Sequence, residues 1–167
     1  MKGRSRSGKG AMLSIEYLAD YPQYLSTVAG WGFTEWGHHN PTRTVQDYEA
    51  DFRNLLNRDT IPLTVIGLWD GIPAGMASIF VQDMDLHPEL TPWLAAVYVS
   101  VDHRKRGIGS KLVGAIQEIA AHLRIARLYL WTPGKEHFYS RLGWTVLERT
   151  GHFNQPVVLM TKEILPD

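Results

Sequence analysis

The sequence predicts an α+β fold, with a mixed, mainly antiparallel central sheet of about six to seven strands and flanking helices. Three apolar runs of strand length follow one another through the middle of the chain, joined by a hairpin turn and an acidic loop, which favours antiparallel pairing. The third run is followed by an amphipathic helix and a further apolar run. That order favours one parallel, right-handed crossover within the sheet.

Length, composition and charge restrict the class of protein. The 167 residues are enough for one domain that buries about two-thirds of its unfolded surface. Lysine plus arginine equals aspartate plus glutamate at 17 each, so the overall charge gives no reason to expect a nucleic-acid partner. The chain has no cysteine, which excludes disulfides, thiolate metal sites and a cysteine nucleophile.

The chain divides into a flexible basic tail over residues 1–11 and a single domain over residues 12–167. The tail carries four basic residues among glycine and serine, a composition that cannot bury enough apolar surface to fold. No apolar run reaches about 18 residues and none follows the basic start, so we expect neither a membrane span nor a signal peptide. We expect a cytoplasmic monomer or homodimer.

The first third of the domain predicts one strand and two helices. Residues 13–18 favour a strand, and residues 22–31 have the spacing of an amphipathic helix. Thr44 is a good N-cap residue, and apolar positions recur at helical spacing through residues 45–56. Residues 31–41 are rich in glycine and aromatic side chains, so we predict no ordinary helix there.

The adjacent histidines His38 and His39 raise the question of a metal site. No carboxylate or third histidine follows them at a ligand spacing, and adjacent side chains on a regular element point apart. We therefore predict no metal and assign the pair a structural or substrate-lining role.

The middle of the chain predicts three consecutive antiparallel strands. Residues 63–69 and 74–81 are apolar runs of strand length, and Asp70–Gly71 between them favours a two-residue hairpin turn. An acidic loop over residues 83–90 then leads to a third strand, which we expect over residues 93–101.

The last third predicts the crossover and the strands that close the sheet. Residues 108–123 form an amphipathic helix, and residues 126–131 form the strand that pairs in parallel across it. A short helix around residues 138–139 follows, and two final strands are expected near residues 145–148 and 157–160.

A basic, glycine-containing turn joins the third strand to its helix. Its residues are His103, Arg104, Lys105, Arg106, Gly107, Ile108, Gly109 and Ser110. The first turn of a helix has unpaired N–H donors and a partial positive charge, and glycine lets a ligand approach the backbone. The turn therefore predicts a pyrophosphate site, with a solvated basic turn as the alternative.

Two motifs in this half of the chain resemble those of one family. Residues 104–109 fit the pattern R/Q-x-x-G-x-G/A, which is similar to the acetyl-CoA signature of the GCN5-related N-acetyltransferases (GNAT family). Residues 138–144 are similar to the family's F-Y-x-x-L-G-F/W segment. The order and spacing of the two motifs are those of the family. The resemblance implies the acyl-CoA N-acyltransferase (GNAT) fold.

The resemblance also implies how acetyl-CoA would bind. In the family, the strand before the glycine turn and the strand after its helix splay apart, and acetyl-CoA lies in the gap. The backbone groups implied are those of Val97, Val99 and Val101 for the pantetheine arm, and those of Arg104, Lys105, Arg106, Gly107, Ile108, Gly109 and Ser110 for the pyrophosphate. Arg106 and Lys105 would add charge-assisted contacts, although Lys105 stands where the family often has glycine.

The catalytic groups are likewise implied by the resemblance. Tyr139 matches the family tyrosine that protonates the departing CoA thiolate, and a phenol with a pKa of about 10 suits that step; packing of the short helix is the alternative role. Many family members place a glutamate base on the strand before the turn, but residues 93–99 contain no carboxylate. Glu35 is the candidate base, with Asp83 or Asp85, directly or through water, as alternatives.

We therefore predict an enzyme that moves acetyl from acetyl-CoA directly to a primary amine, either of a small molecule or of a protein N-terminus. The acidic loop favours a cationic acceptor. Trp31, Trp36 and Trp93 either line the acceptor pocket or belong to the core. The missing strand carboxylate supports the alternative of a non-catalytic acyl-CoA-binding sensor on the same fold. A nucleic-acid module would rest only on the tail and the basic turn.

Overall fold

A computed structural model describes residues 12–164 of the chain, so the predicted tail over residues 1–11 lies outside the described residues. The strands are β1 (Leu13–Tyr17), β2 (Leu63–Trp69), β3 (Ile72–Phe80), β4 (Trp93–Val99), β5 (Arg127–Thr132), β6 (Thr145–His152) and β7 (Gln155–Glu163), and the helices are α1 (Leu25–Trp36), α2 (Val45–Arg53), α3 (Ile108–His122) and α4 (Glu136–Arg141). Among these residues, no helix combines the length and apolar character that a membrane crossing requires.

The strands form one seven-stranded sheet in the order β1-β2-β3-β4-β5-β7-β6. Every neighbouring pair is antiparallel except β4 and β5, which α3 connects as a parallel pair. The predicted fold class is confirmed, including the single parallel crossover.

The sheet opens between β4 and β5. These strands are joined at one residue pair only, Trp93 with Tyr129. Farther along β4, Ala96 has a φ of 51°, and the register with β3 shifts, so the strand changes course while its last residues remain paired with β3. The second half of β4 therefore has a free edge that faces a gap.

Gly75 on β3 keeps this half of β4 in place. A Cβ at that position would lie 2.6 Å from the Tyr98 carbonyl oxygen and 2.9 Å from Cδ1 of Leu112 on α3. Only glycine allows the three elements to approach so closely.

The two faces of the sheet carry different helices. Leu128 and Leu130 of β5 belong to the core that α3 and α4 cover. The alternating residues Tyr129 and Trp131 face the other side, where they pack with Met84 of the acidic loop. Helices α1 and α2 cover that second face over β2 and β3. The gap between β4 and β5 thus lies between the side of the sheet covered by α3 and α4 and the side covered by α1 and α2.

Helix α1 corrects one prediction. Residues 31–36, where no ordinary helix was expected, continue α1 to Trp36, and only residues 37–39 form a short 3₁₀ helix. The reason is the packing of α2, since a Cβ at Gly32 would lie 3.1 Å from the Tyr48 ring and 3.2 Å from the Phe52 ring. Close packing of the two helices offsets the low helix propensity of glycine.

Two hairpins contain turns with two consecutive positive φ angles. The β2–β3 turn uses Asp70 (φ 49°) and Gly71 (φ 78°), as the sequence predicts. The β6–β7 turn uses Phe153 (φ 50°) and Asn154 (φ 59°). A left-handed backbone costs a side-chain-bearing residue about 1–2 kcal/mol, so Phe153 is an unfavourable residue for its turn.

Candidate active site

The start of α3 has the features of an anion site. Gly107 has a φ of 76° at the N-cap, and the first helical hydrogen bond is donated by the Lys111 N–H to the Gly107 carbonyl, at 3.2 Å. The backbone N–H groups that precede this bond have no partner within the helix, and no side chain caps them. Helix α2 differs, because Thr44 and Asp47 form a capping box at its start.

The two arginines of the turn already have partners. Nε of Arg104 donates to the Val99 carbonyl at 2.9 Å, and its guanidinium lies 5.6 Å from the centroid of the Tyr98 ring. The Arg106 guanidinium lies over the Trp69 ring at 5.0 Å. Lys105 has a φ of 63°, a conformation that explains why glycine suits this position.

Backbone direction along β4 shows which predicted residues face the gap. The Ser100 N–H donates to the Ala74 carbonyl of β3 at 2.8 Å. Because backbone groups alternate along a strand, those of Val97 and Val99 point away from β3, toward the gap. The strand ends at Val99, whereas we expected it to reach Val101, which instead begins a 3₁₀ helix over Val101–His103. Val101 therefore does not extend the free edge.

We expect Gly107→Ala to weaken acetyl-CoA binding tenfold or more. A Cβ at Gly107 would meet nothing within 4 Å, so the change acts through the positive φ of the turn that orients the N–H groups. Arg106→Ala would remove the charge-assisted contact that we predict with the pyrophosphate, worth about 1.5–3 kcal/mol, which corresponds to a loss of affinity of about ten- to a hundredfold. Calorimetric titration with acetyl-CoA measures both effects.

Gly114→Ala is the matched control, because a Cβ there also meets nothing within 4 Å and its backbone is helical. Its affinity should equal that of the wild type. If the folded Gly107→Ala and Arg106→Ala variants did so as well, the turn would not be the acetyl-CoA site.

Tyr139 lies on α4, on the same side of the sheet as the glycine turn. Only 7% of the residue is exposed, and its ring packs against Phe138 at 4.9 Å and Trp144 at 6.2 Å between centroids. A Cβ built on Gly109 would lie 3.4 Å from Cζ of Phe138, which shows that α4 reaches the start of α3. Burial raises the pKa of Tyr139 to about 12, so the phenol keeps its proton at neutral pH.

The candidate carboxylates differ in their surroundings. Glu35 is exposed on the last turn of α1, and Asp85 is exposed in the acidic loop. Asp83 is partly buried, and its backbone carbonyl accepts a hydrogen bond from Nε1 of Trp131 at 3.2 Å. Burial raises the pKa of Asp83 to about 7, which is the range a general base requires.

The acidic loop is held against the sheet at two places. Met84 is 1% exposed and packs in the core under the loop. His87 contacts two carboxylates, with Nδ1 at 2.8 Å from Oε1 of Glu89 and Nε2 at 2.6 Å from Oε2 of Glu148 on β6. The hydrogen bond with Glu89, followed by that with Glu148, raises the pKa of His87. These contacts anchor the loop that carries Asp83.

The three candidate tryptophans separate into two kinds. Trp93 is 0% exposed, and its Nε1 donates to the Leu90 carbonyl at 2.8 Å, so it belongs to the core. Trp31 and Trp36 are partly buried and lie 5.3 Å and 6.4 Å from the Tyr98 ring, beside the free end of β4. Of the three, Trp31 and Trp36 remain candidates for lining an acceptor site.

Sequence reasoning gave His39 a structural or substrate-lining role but missed the three aromatic residues that pack with it. His39, Trp131, His152 and Phe153 form what we call the aromatic cluster. His39 lies 4.3 Å from Phe153, and His152 lies 4.7 Å from Trp131, between ring centroids. Three distant segments supply these side chains, so no local pattern could reveal the cluster. Among residues 12–164, no three His, Cys, Asp or Glu side chains come together as a metal site requires.

The comparisons with known proteins agree with this geometry. The sequence model of the Acetyltransferase (GNAT) family matches residues 25–144. No protein with a curated description matches the chain.

Solved structures share the fold. An acetyltransferase of the GNAT family from Streptococcus pneumoniae has a TM-score of 0.66 and 20% identity, and the match covers 92% of this chain and 99% of that one. An aminoglycoside 6'-N-acetyltransferase complexed with coenzyme A gives 0.68 and 17%, covering 93% and 98%. Naa50 of Arabidopsis thaliana, in complex with the bisubstrate analogue CoA-Ac-MVNAL, gives 0.64 and 14%, covering 90% and 97%.

Proposed function

This chain belongs to the GNAT family of acetyltransferases, and on that premise we propose that it transfers acetyl from acetyl-CoA directly to a primary amine. The gap between β4 and β5 is the observation that carries the proposal. The glycine turn and Tyr139 belong to one side of the sheet that this gap divides, and Asp83 lies against Trp131 of β5 on the other side, an arrangement that supports a site spanning the gap. We further propose that one domain over residues 12–167 performs the reaction, and that the acceptor is a small molecule or a peptide N-terminus.

Two parts of the chain would hold acetyl-CoA. The free N–H groups at the start of α3 suit the pyrophosphate, with Arg106 and Lys105 beside them. The backbone of Val97 on the free edge of β4 suits the pantetheine amides, by the kind of pairing that adds a strand to a sheet. Arg104 already occupies the Val99 carbonyl, so the N–H of Val99 is the group left for the ligand.

Asp83 is our preferred base, ahead of Glu35. A primary amine is protonated at neutral pH and must lose one proton before its nitrogen can attack. Asp83, with its pKa near 7, would take that proton directly or through water. Acetyl-CoA supplies the acetyl group as a thioester, so the C–N bond forms as the C–S bond breaks. The nitrogen then releases its second proton to solvent.

Tyr139 would act on the leaving sulfur. Its pKa of about 12 lies above that of an ordinary thiol, about 8.5, so complete proton transfer to a thiolate would cost about 5 kcal/mol if the phenolate were not stabilised. The phenol therefore acts first as a hydrogen-bond donor to the developing thiolate. The phenol passes its proton to the sulfur as it takes another from solvent, so that no phenolate builds up, and the products are a thiol, an amide and one released proton.

An acceptor panel tests the proposal. Purified protein with acetyl-CoA and either small amines or short peptides with free N-termini should release CoA thiol faster than without an acceptor. Mass spectrometry should locate the added acetyl group on nitrogen. Acetyl-CoA binding without turnover across the panel would favour the sensor, which the absence of a carboxylate on β4 supports. Acetylation of oxygen alone would contradict the proposed acceptor.

A further inference from the structure

Resting on the proposed function, we propose that the acceptor is an arylalkylamine-type compound, in which the aromatic cluster holds a flat ring and the amine points to Asp83. The shared chemistry is a primary amine a few bonds from an aromatic ring. A free amine and the N-terminus of a peptide that begins with an aromatic residue both provide it.

The aromatic cluster lies beside the candidate base. Trp131 is two residues beyond Tyr129, where β5 leaves β4, and its Nε1 donates to the Asp83 backbone at 3.2 Å. The tip of the β6–β7 hairpin brings His152 and Phe153 onto Trp131, with Phe153 6.0 Å from it between centroids. Because these rings share the Asp83 side of the sheet, a ring bound here would carry its amine toward the gap.

Phe153 is the residue whose placement calls for a functional reason. It has a φ of 50° in a tight turn where asparagine or glycine is favoured, and 48% of the residue is exposed. The β2–β3 hairpin has the same two consecutive positive φ angles, but there they belong to Asp70 and Gly71. Phe153 therefore combines a strained backbone with a ring that stacks on His39 and stays about half exposed, which provides a flat contact surface.

Charge around the aromatic cluster also suits an aromatic amine. Burial lowers the pKa of both His39 and His152, so their rings are neutral at pH 7 and do not repel a cation. The negative charge of Asp85 partly offsets the lowering of the His152 pKa, and Asp83 lies beside Trp131. The surface is thus apolar with negative charge at one side, which matches a ring with a cationic chain.

Direct binding tests this inference independently of turnover. Phenethylamine should shift the NMR signals of the His39 and His152 ring protons and bind at least tenfold more tightly than 2-cyclohexylethylamine, which is similar in size and charge but has no flat ring. Equal affinities would overturn the inference. Selective binding with no CoA release from any amine would instead overturn the proposed function. A peptide starting with phenylalanine, compared with one starting with alanine, distinguishes the two sources of the ring.

Phe153→Asn separates recognition from folding. Asparagine is favoured in this turn, so the melting temperature should stay the same or rise, while the preference for phenethylamine over 2-cyclohexylethylamine should fall about tenfold. Leu147→Asn, at an exposed apolar residue of β6 that is 50% exposed, is the control and should keep the preference. An unchanged preference in a folded Phe153→Asn variant would show that the ring does not contact the acceptor.

Discussion

Tyr139→Phe is expected to lower kcat by about 10²–10⁴-fold while acetyl-CoA affinity stays nearly constant. The substitution keeps the buried ring and removes only the hydroxyl, which stabilises charge that develops on sulfur in the transition state. Burial holds the Tyr139 pKa near 12, so the wild-type phenol remains a donor throughout the working pH range. Steady-state kinetics with the best acceptor, together with a melting curve, measure the effect.

Tyr17→Phe provides the comparison, because this tyrosine lies on β1, at the far edge of the sheet. Its kcat should match the wild type. An undiminished kcat in Tyr139→Phe would restrict Tyr139 to packing against Phe138 and Trp144. A melting temperature equal to that of the wild type is the condition under which a fall in kcat reports on catalysis.

Asp83→Asn should lower kcat/KM by about 10²–10⁴-fold and change its dependence on pH. In the wild type, kcat/KM should rise as the pH passes about 7, because Asp83 accepts a proton only when ionised. The variant should lose that rise. Rates measured from about pH 5.5 to about pH 9 cover the transition.

The folded state should tolerate Asp83→Asn well. Burial raises the Asp83 pKa from 3.8 to about 7, so unfolding releases a proton between those values, and the free energy of unfolding falls as the pH rises through them. Asparagine removes that penalty, and at pH 8 the variant should be at least as stable as the wild type. Glu35→Gln is the companion variant and should keep full activity. Loss of activity in Glu35→Gln with full activity in Asp83→Asn would make Glu35 the base.

Local signals in the sequence account for most of the fold. The apolar run over residues 63–69 matches β2 at both ends, Thr44 caps α2, and Asp70–Gly71 makes the first hairpin. Each feature depends on residues a few positions apart, which is why spacing and composition suffice. The glycine turn at the start of α3 is local in the same way.

The rest of the site depends on contacts between distant residues. Helix α1 passes through Gly32 only because rings from α2 pack there, and the course of β4 changes at Ala96, a residue with no turn-forming character. Asp83 acquires its raised pKa from burial beside Trp131, 48 positions away. No pattern within one segment encodes these surroundings.

The gap between β4 and β5 leaves part of the sheet without strand pairing in the free protein. Backbone groups at Val97 have no strand beside them, and a bound pantetheine arm would supply the missing partner. A ligand that binds only the folded state raises the free energy of unfolding, by about 2.7 kcal/mol at a concentration one hundred times its Kd. The lifetime of the folded enzyme in a cell would then follow the supply of acetyl-CoA, so that the protein persists where its donor is plentiful and is degraded sooner where it is scarce.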